Sequence, residues 1–194
     1  MKITHAAVLL LAVPAILAAQ GGGAPPANPI TTVLKNRTLA LQRQIAQAFD
    51  SIPESKFGYK PTPAQLTIGY IAQHVASDDY LFCNAFGTMK ATISDEEKTT
   101  PDSVKAKWPK AKLVDQLKAS LKFCEDAFPQ LDDAKLAEQT SIMAGGQERQ
   151  VGRAQMVVGH ALDLADHYSQ IANYMRLNNL IPPSALPRPG RGGN

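Results

Sequence analysis

Apolar residues recur every three or four positions in four separate stretches of this chain, the spacing of α-helices that each bury one face. The first stretch opens at Asn28-Pro29, an N-cap residue followed by a proline at the first helical position, and closes near Pro53. Ile30, Leu34, Leu41, Ile45, Ala48 and Ile52 form its stripe, interrupted once by Thr38. The second opens at Thr62-Pro63-Ala64-Gln65, which has the form of a capping box, and runs to Gly87. Leu66, Ile68, Tyr70, Ile71, Val75, Leu81, Phe82 and Ala85 fill an arc of roughly 200° on it, at ~100° per residue. The third, from Lys110 to Phe128, aligns Leu113, Leu117, Leu121, Cys124 and Phe128 on one face. The fourth, from Gly152 to Leu177, carries Met156, Val157, Leu164, Ile171, Tyr174 and Met175. Asn178-Asn179 and Pro182-Pro183 stop it.

Between these stretches the pattern lapses. Residues 88–109 are polar and hold the breakers Thr100-Pro101 and Trp108-Pro109, so a long connection with one short helical turn is expected. Residues 129–152 contain Gly145-Gly146 but show no strand pattern. Four amphipathic helices without a convincing strand predict a single all-α four-helix bundle over residues 29–180. The pattern leaves open the order in which the helices are traversed.

The ends differ in kind from the middle. Lys2, the apolar run Ala6 to Leu17, and the small residues Ala15, Ala18 and Ala19 read as a signal peptide over residues 1–20, cleaved after Ala18, Ala19 or Gln20. Export to a periplasmic or extracellular compartment follows, with no membrane association once the leader is removed. Residues 21–28 (GGGAPPAN) are a flexible linker, and 181–194, rich in Pro, Gly and Arg, are expected to be a disordered tail. A net charge of +3, spread without basic clusters, excludes a nucleic-acid surface. In an oxidising compartment Cys83 and Cys124 either pair as a disulfide closing a 41-residue separation or stay as buried thiols.

The chemistry-bearing positions are few. Beyond the leader only His74, His160 and His167 remain, and each lies on the apolar face of its helix. Asp163 and His167, at i and i+4, project side by side about 6 Å apart, within reach of one divalent cation. His74 is the third ligand if the second and fourth helices adjoin. Two imidazoles and a carboxylate leave coordination positions open, as in catalytic zinc and non-haem iron sites. The bland alternative is an Asp163-His167 hydrogen bond that satisfies a core histidine. His160, two turns or ~10 Å of rise from His167, cannot share that ion and is assigned to a supporting role, holding Asp163. Asp78, one turn after His74, either orients it or occupies a solvated edge position. No catalytic serine or cysteine motif is present.

The stretch KPTPAQLTIGYIAQHVASDDYLFC (Lys60 to Cys83) and the string ADHYSQIANYMRLNNLIPPSA (Ala165 to Ala185) resemble the second and fourth helices of the DinB-like superfamily of metalloenzymes. The resemblance covers residues 30–184. It implies a four-helix bundle whose second and fourth helices face each other across a divalent metal, Zn, Ni, Mn or Fe. His74 and His167 match the family's histidines; Asp163 stands where the family usually has another, which adds a negative charge. The resemblance implies a metal-dependent transferase or hydrolase acting on a small molecule. The alternative is a non-catalytic bundle that binds a ligand or partner around a structural or lost metal. A small-molecule substrate and a homodimer are the partners left open.

Overall fold

A computed structural model of the protein describes residues 27–187; the leader, the linker as far as residue 26 and the tail beyond residue 187 lie outside the described residues. The chain is predominantly helical. Its long helices are α1 (Pro29–Ser51), α2 (Ile68–Cys83), α5 (Lys110–Ala127) and α7 (Arg153–Leu177), with short helices α3 (Asp95–Thr99), α4 (Asp102–Lys105) and α6 (Asp133–Leu136) between them. Among the described residues no helix is long and apolar enough to cross a membrane.

The long helices pack in a ring, α1 on α7, α7 on α2, α2 on α5 and α5 on α1. Side-chain partners fix their directions. His74, early in α2, meets His167, late in α7, whereas Cys83 and Ala85 meet His160 and Arg153, so α2 and α7 run antiparallel. Asp79 meets Ser120 and Cys83 meets Cys124, so α2 and α5 run parallel. Parallel neighbours need a long return. Residues 84–109 provide it, and there the polar sequence forms two short helices where one turn is expected. Ser94 and Glu97 close a capping box on α3, and α4 packs against α2.

Three local expectations are corrected. Helix α2 begins at Ile68 and is capped by the Thr67 hydroxyl, which accepts from Tyr70 N, while Thr62 to Gln65 form a turn instead of a cap. The reason lies upstream: Tyr59 O and Phe57 O accept from Ile68 N and Gly69 N, so the preceding loop satisfies the open donors of a helix starting there. Residues 139–152 form a hairpin, β1 (Gln139–Ala144) paired antiparallel with β2 (Gln147–Gly152). Gly145 and Gly146, at φ 61° and 75°, make its two-residue turn, a conformation glycine adopts without a Cβ penalty. The expected disordered tail begins ordered: Pro183–Ala185 form a 3₁₀ turn on α1, and Ser184 N donates to the Tyr168 hydroxyl at 2.7 Å.

The start of α1 is correct in position but not in mechanism. The Asn28 side chain makes no bond to its own helix. It accepts instead from Asp133 N, and Asp133 returns its carboxylate to Ile30 N (3.1 Å) and Thr31 N (2.8 Å). Two helix starts a hundred residues apart therefore cap each other. The stripe of α1 also rotates at this end: Thr31 and Thr38 are buried and Ile30 is exposed.

The core falls into two clusters. The larger packs Ile45, Phe49, Ile71, Val75, Leu117, Leu164 and Ile171 between the long helices. The smaller surrounds Cys83 and Cys124, which form a disulfide, with Phe86, Phe128, Leu136 and Val157.

Candidate metal centre

The facing sides of α2 and α7 bring the buried histidines His160 and His167 together with carboxylates and with His74. Their close approach depends on Gly159, where an added Cβ would lie 2.9 Å from the Phe82 ring. Two clusters are stacked along this seam.

The first joins His74, Asp163 and His167, whose ligand atoms lie within 4.8 Å of one another. Asp163 Oδ1 is 3.3 Å from His167 Nε2, as the i, i+4 spacing requires, and the His74 and His167 rings meet edge to face at 4.9 Å. Asp78 Oδ2 stands 3.5 Å from His74 Nε2, so an Asp and a His one turn apart on α7 face a His and an Asp one turn apart on α2. The cluster is open on one side: the His74 side chain is 33% exposed, that of Asp163 18% and that of His167 8%. Tyr70 stacks beside His74 and lines a cavity of about 730 Å³ shared with Phe57, Trp108 and Lys107.

Two atoms of this cluster are unsatisfied. Asp163 Oδ2 and His167 Nδ1 are buried without a hydrogen-bond partner, a costly state that a native structure explains by an ion or a water. The field has the matching sign. Burial disfavours the His167 imidazolium, but its hydrogen bond to Asp163 and the charges of Asp163, Asp166 and Asp78 outweigh burial and raise its pKa. Burial raises the Asp78 pKa, opposed by His74 and reinforced by Asp163. A site that favours a proton on His167 favours a cation as well. The donor set, two imidazoles and a carboxylate, fits Zn, Mn, Fe or Ni.

The second cluster lies two turns away and is closed to solvent. His160 donates from Nε2 to Asp79 Oδ1 at 2.8 Å, and both side chains are fully buried. The support assigned to His160 therefore goes to Asp79 and not to Asp163. Ser120 Oγ sits 2.7 Å from Asp79 Oδ2 and 2.8 Å from Leu117 O. Burial pushes the Asp79 carboxyl upward against the pull of His160 and Ser120. Ser120 Oγ donates to Asp79 Oδ2 and also stands within hydrogen-bond reach of Leu117 O, so the Asp79 carboxyl is held from both sides, by Ser120 on Oδ2 and by His160 on Oδ1. Asp79 is the residue that sequence reasoning did not single out. Its signal was present: with Ala72, Val75, Ala76 and Cys83 it shares the buried face of α2.

The comparisons with known proteins agree with this architecture. The family model for the DinB superfamily matches residues 37–171. A DinB-like protein from Bacillus cereus ATCC 10987 superposes with a TM-score of 0.55 at 14% identity, covering 74% of this chain and 89% of its own. A conserved protein from Enterococcus faecalis gives a TM-score of 0.55 at 16% identity, covering 76% and 96%. At such identities the likeness is one of fold. No curated protein matches the sequence. With more than half of its length matched by the family model, the chain belongs to the DinB superfamily.

Proposed function

We propose that this protein is an exported metal-dependent enzyme, a transferase or hydrolase acting on a small molecule, with His74, Asp163 and His167 as the metal ligands. The observation that carries the reading is that ligand atoms of these three side chains lie within 4.8 Å of one another while Asp163 Oδ2 and His167 Nδ1 are buried without a partner. A bound divalent cation would supply Lewis acidity, polarising an oxygen or sulfur of the substrate and making a nucleophile available near neutral pH.

The chain's own residues do the rest. Asp163 and His167 are held in register by one helical turn and by the packing of Leu164 and Ile171 on either side. Asp78 steadies the His74 ring from the next turn of α2. The partial exposure of His74 leaves an approach for substrate, and the cavity beyond Tyr70 offers aromatic walls and the Lys107 ammonium to an anionic, partly apolar molecule. Export is supported by the leader pattern of residues 1–20 and by a disulfide in the core, which suits an oxidising compartment.

The test is metal analysis of protein purified from an export-competent host, paired with the same measurement on His167→Ala. One divalent ion per chain in the first and none in the second supports the reading. Equal metal content in both sinks it.

A further inference from the structure

The closed cluster beside the disulfide is built like a cation site that the disulfide occupies. Cys83, Cys124 and His160 each offer a ligand atom, all within 4.8 Å of one another and all fully buried. His160 is held as a metal-binding histidine is held: its Nε2 is fixed by the Asp79 carboxyl, itself fixed by Ser120. That leaves Nδ1 as the nitrogen that Asp79 does not engage, and the ring edge stands beside the disulfide with Nδ1 and Nε2 each 3.8 Å from Cys83 Sγ. A disulfide sulfur has no proton to give, so in the oxidised chain the buried Nδ1 has no donor. The rings of Phe82, Phe86 and Phe128 stand around it and keep water out.

We propose that Cys83, Cys124 and His160 form a second cation site, of thiolate and imidazole type, that the disulfide keeps closed and that reduction by a dithiol opens. The dithiol gives two electrons and two protons to the Cys83–Cys124 bond and leaves as its own cyclic disulfide. The two thiols then release their protons to solvent as Zn(II) or a similarly soft divalent ion binds. Two thiolates and a neutral imidazole around a divalent ion carry no net charge, the one condition a site walled by phenylalanines imposes. Asp79 keeps its position on His160 in both states. The proposal is independent of the first cluster, because no residue is shared.

The experiment uses the full chain carrying His167→Ala, which lacks a ligand of the first cluster, with Zn(II) alone as the probe. Protein is reduced to two thiols per chain, freed of dithiol without air and dialysed against Zn(II); the oxidised form is dialysed in parallel. The expected result is one more zinc per chain in the reduced form, with helical circular dichroism retained. Replacing zinc by Co(II) should give a thiolate-to-metal charge-transfer band, and Cys83→Ser should lose both the extra ion and the band. Three results overturn the proposal. They are a reduced, helical chain that takes up no more zinc than the oxidised one, a chain that is unfolded after reduction with and without zinc, and uptake without the sulfur band.

Discussion

At the scale of single residues, the seam between α2 and α7 separates two kinds of histidine that sequence spacing treats alike. His160 and His167 both fall on the apolar face of one helix, yet one is closed in by Asp79 and phenylalanine rings and the other opens to solvent through His74. Their replacements should therefore differ. In excess Zn, Mn, Fe or Ni at about a hundred times the dissociation constant, binding adds roughly 2.7 kcal/mol, or about 5–11 °C in Tm for a domain of this size. His167→Ala should lose that shift in thermal melts, whereas His160→Ala should lower the metal-free Tm and keep the shift. A shift lost equally in both would merge the two clusters into one site. The Asp79 network offers a second contrast. Asp79→Asn keeps an acceptor for His160 and an N–H for Ser120, so it should cost less than about 1 kcal/mol in chemical denaturation. His160→Ala strands a buried carboxyl and should cost about 3 kcal/mol or more. An Asn variant as damaged as the Ala variant would mean that the network needs the carboxyl itself and not only its shape. The i, i+4 pair of Asp163 and His167 was legible from spacing alone because one helix holds both. The role of His160 was not, because its partner Asp79 comes from another helix.

At the scale of elements, what the sequence hid were contacts made by residues far apart in the chain. The four long helices were legible because each carries its own periodicity and needs only a buried side to satisfy it. The hairpin was not, because no residue of β1 or β2 is buried and neither strand carries an alternating apolar face, so Gly145-Gly146 was the single cue. The start of α2 was misplaced because the donors that a cap would satisfy are taken by the carbonyls of Phe57 and Tyr59. The clasp between α1 and α6 is the same lesson in testable form. Burial opposes the Asp133 carboxylate, but the backbone donors of Thr31 and Ile30 win and hold its pKa below the usual 3.8. A lowered pKa in the folded chain means that the carboxylate contributes stability at every pH above its unfolded value. That contribution is lost as pH falls through the lowered folded value. Wild type should accordingly melt above Asp133→Asn at neutral pH, and the gap should close below pH 4. A gap that persists unchanged at pH 2 would show that the charge of Asp133 contributes nothing to capping α1.

At the scale of the whole molecule, the ring of helices is tied at one end by covalent chemistry and left open at the other. The disulfide crosses the parallel pair α2 and α5, the two helices whose connection is long and largely polar. Parallel neighbours joined this way lose more freedom on docking than a tight antiparallel hairpin does, so a crosslink between them constrains the unfolded chain most. Closing a 41-residue separation is worth about 4 kcal/mol in the chain-entropy account, a large share of the stability of an ordinary domain. The Cys83→Ala, Cys124→Ala double variant removes the crosslink without leaving a reactive thiol, and both sites lie in the smaller core cluster, away from His74, Asp163 and His167. Its urea midpoint should fall by an amount corresponding to about 4 kcal/mol. The metal-induced Tm shift should survive, since His74, Asp163 and His167 are held by the larger cluster around Leu164 and Ile171. A midpoint unchanged from wild type would place the stability of the α2–α5 pair wholly in its apolar packing. Loss of the metal shift along with the disulfide would mean that the two ends of the seam are mechanically coupled, with the crosslink setting the spacing at which α2 presents His74 to α7.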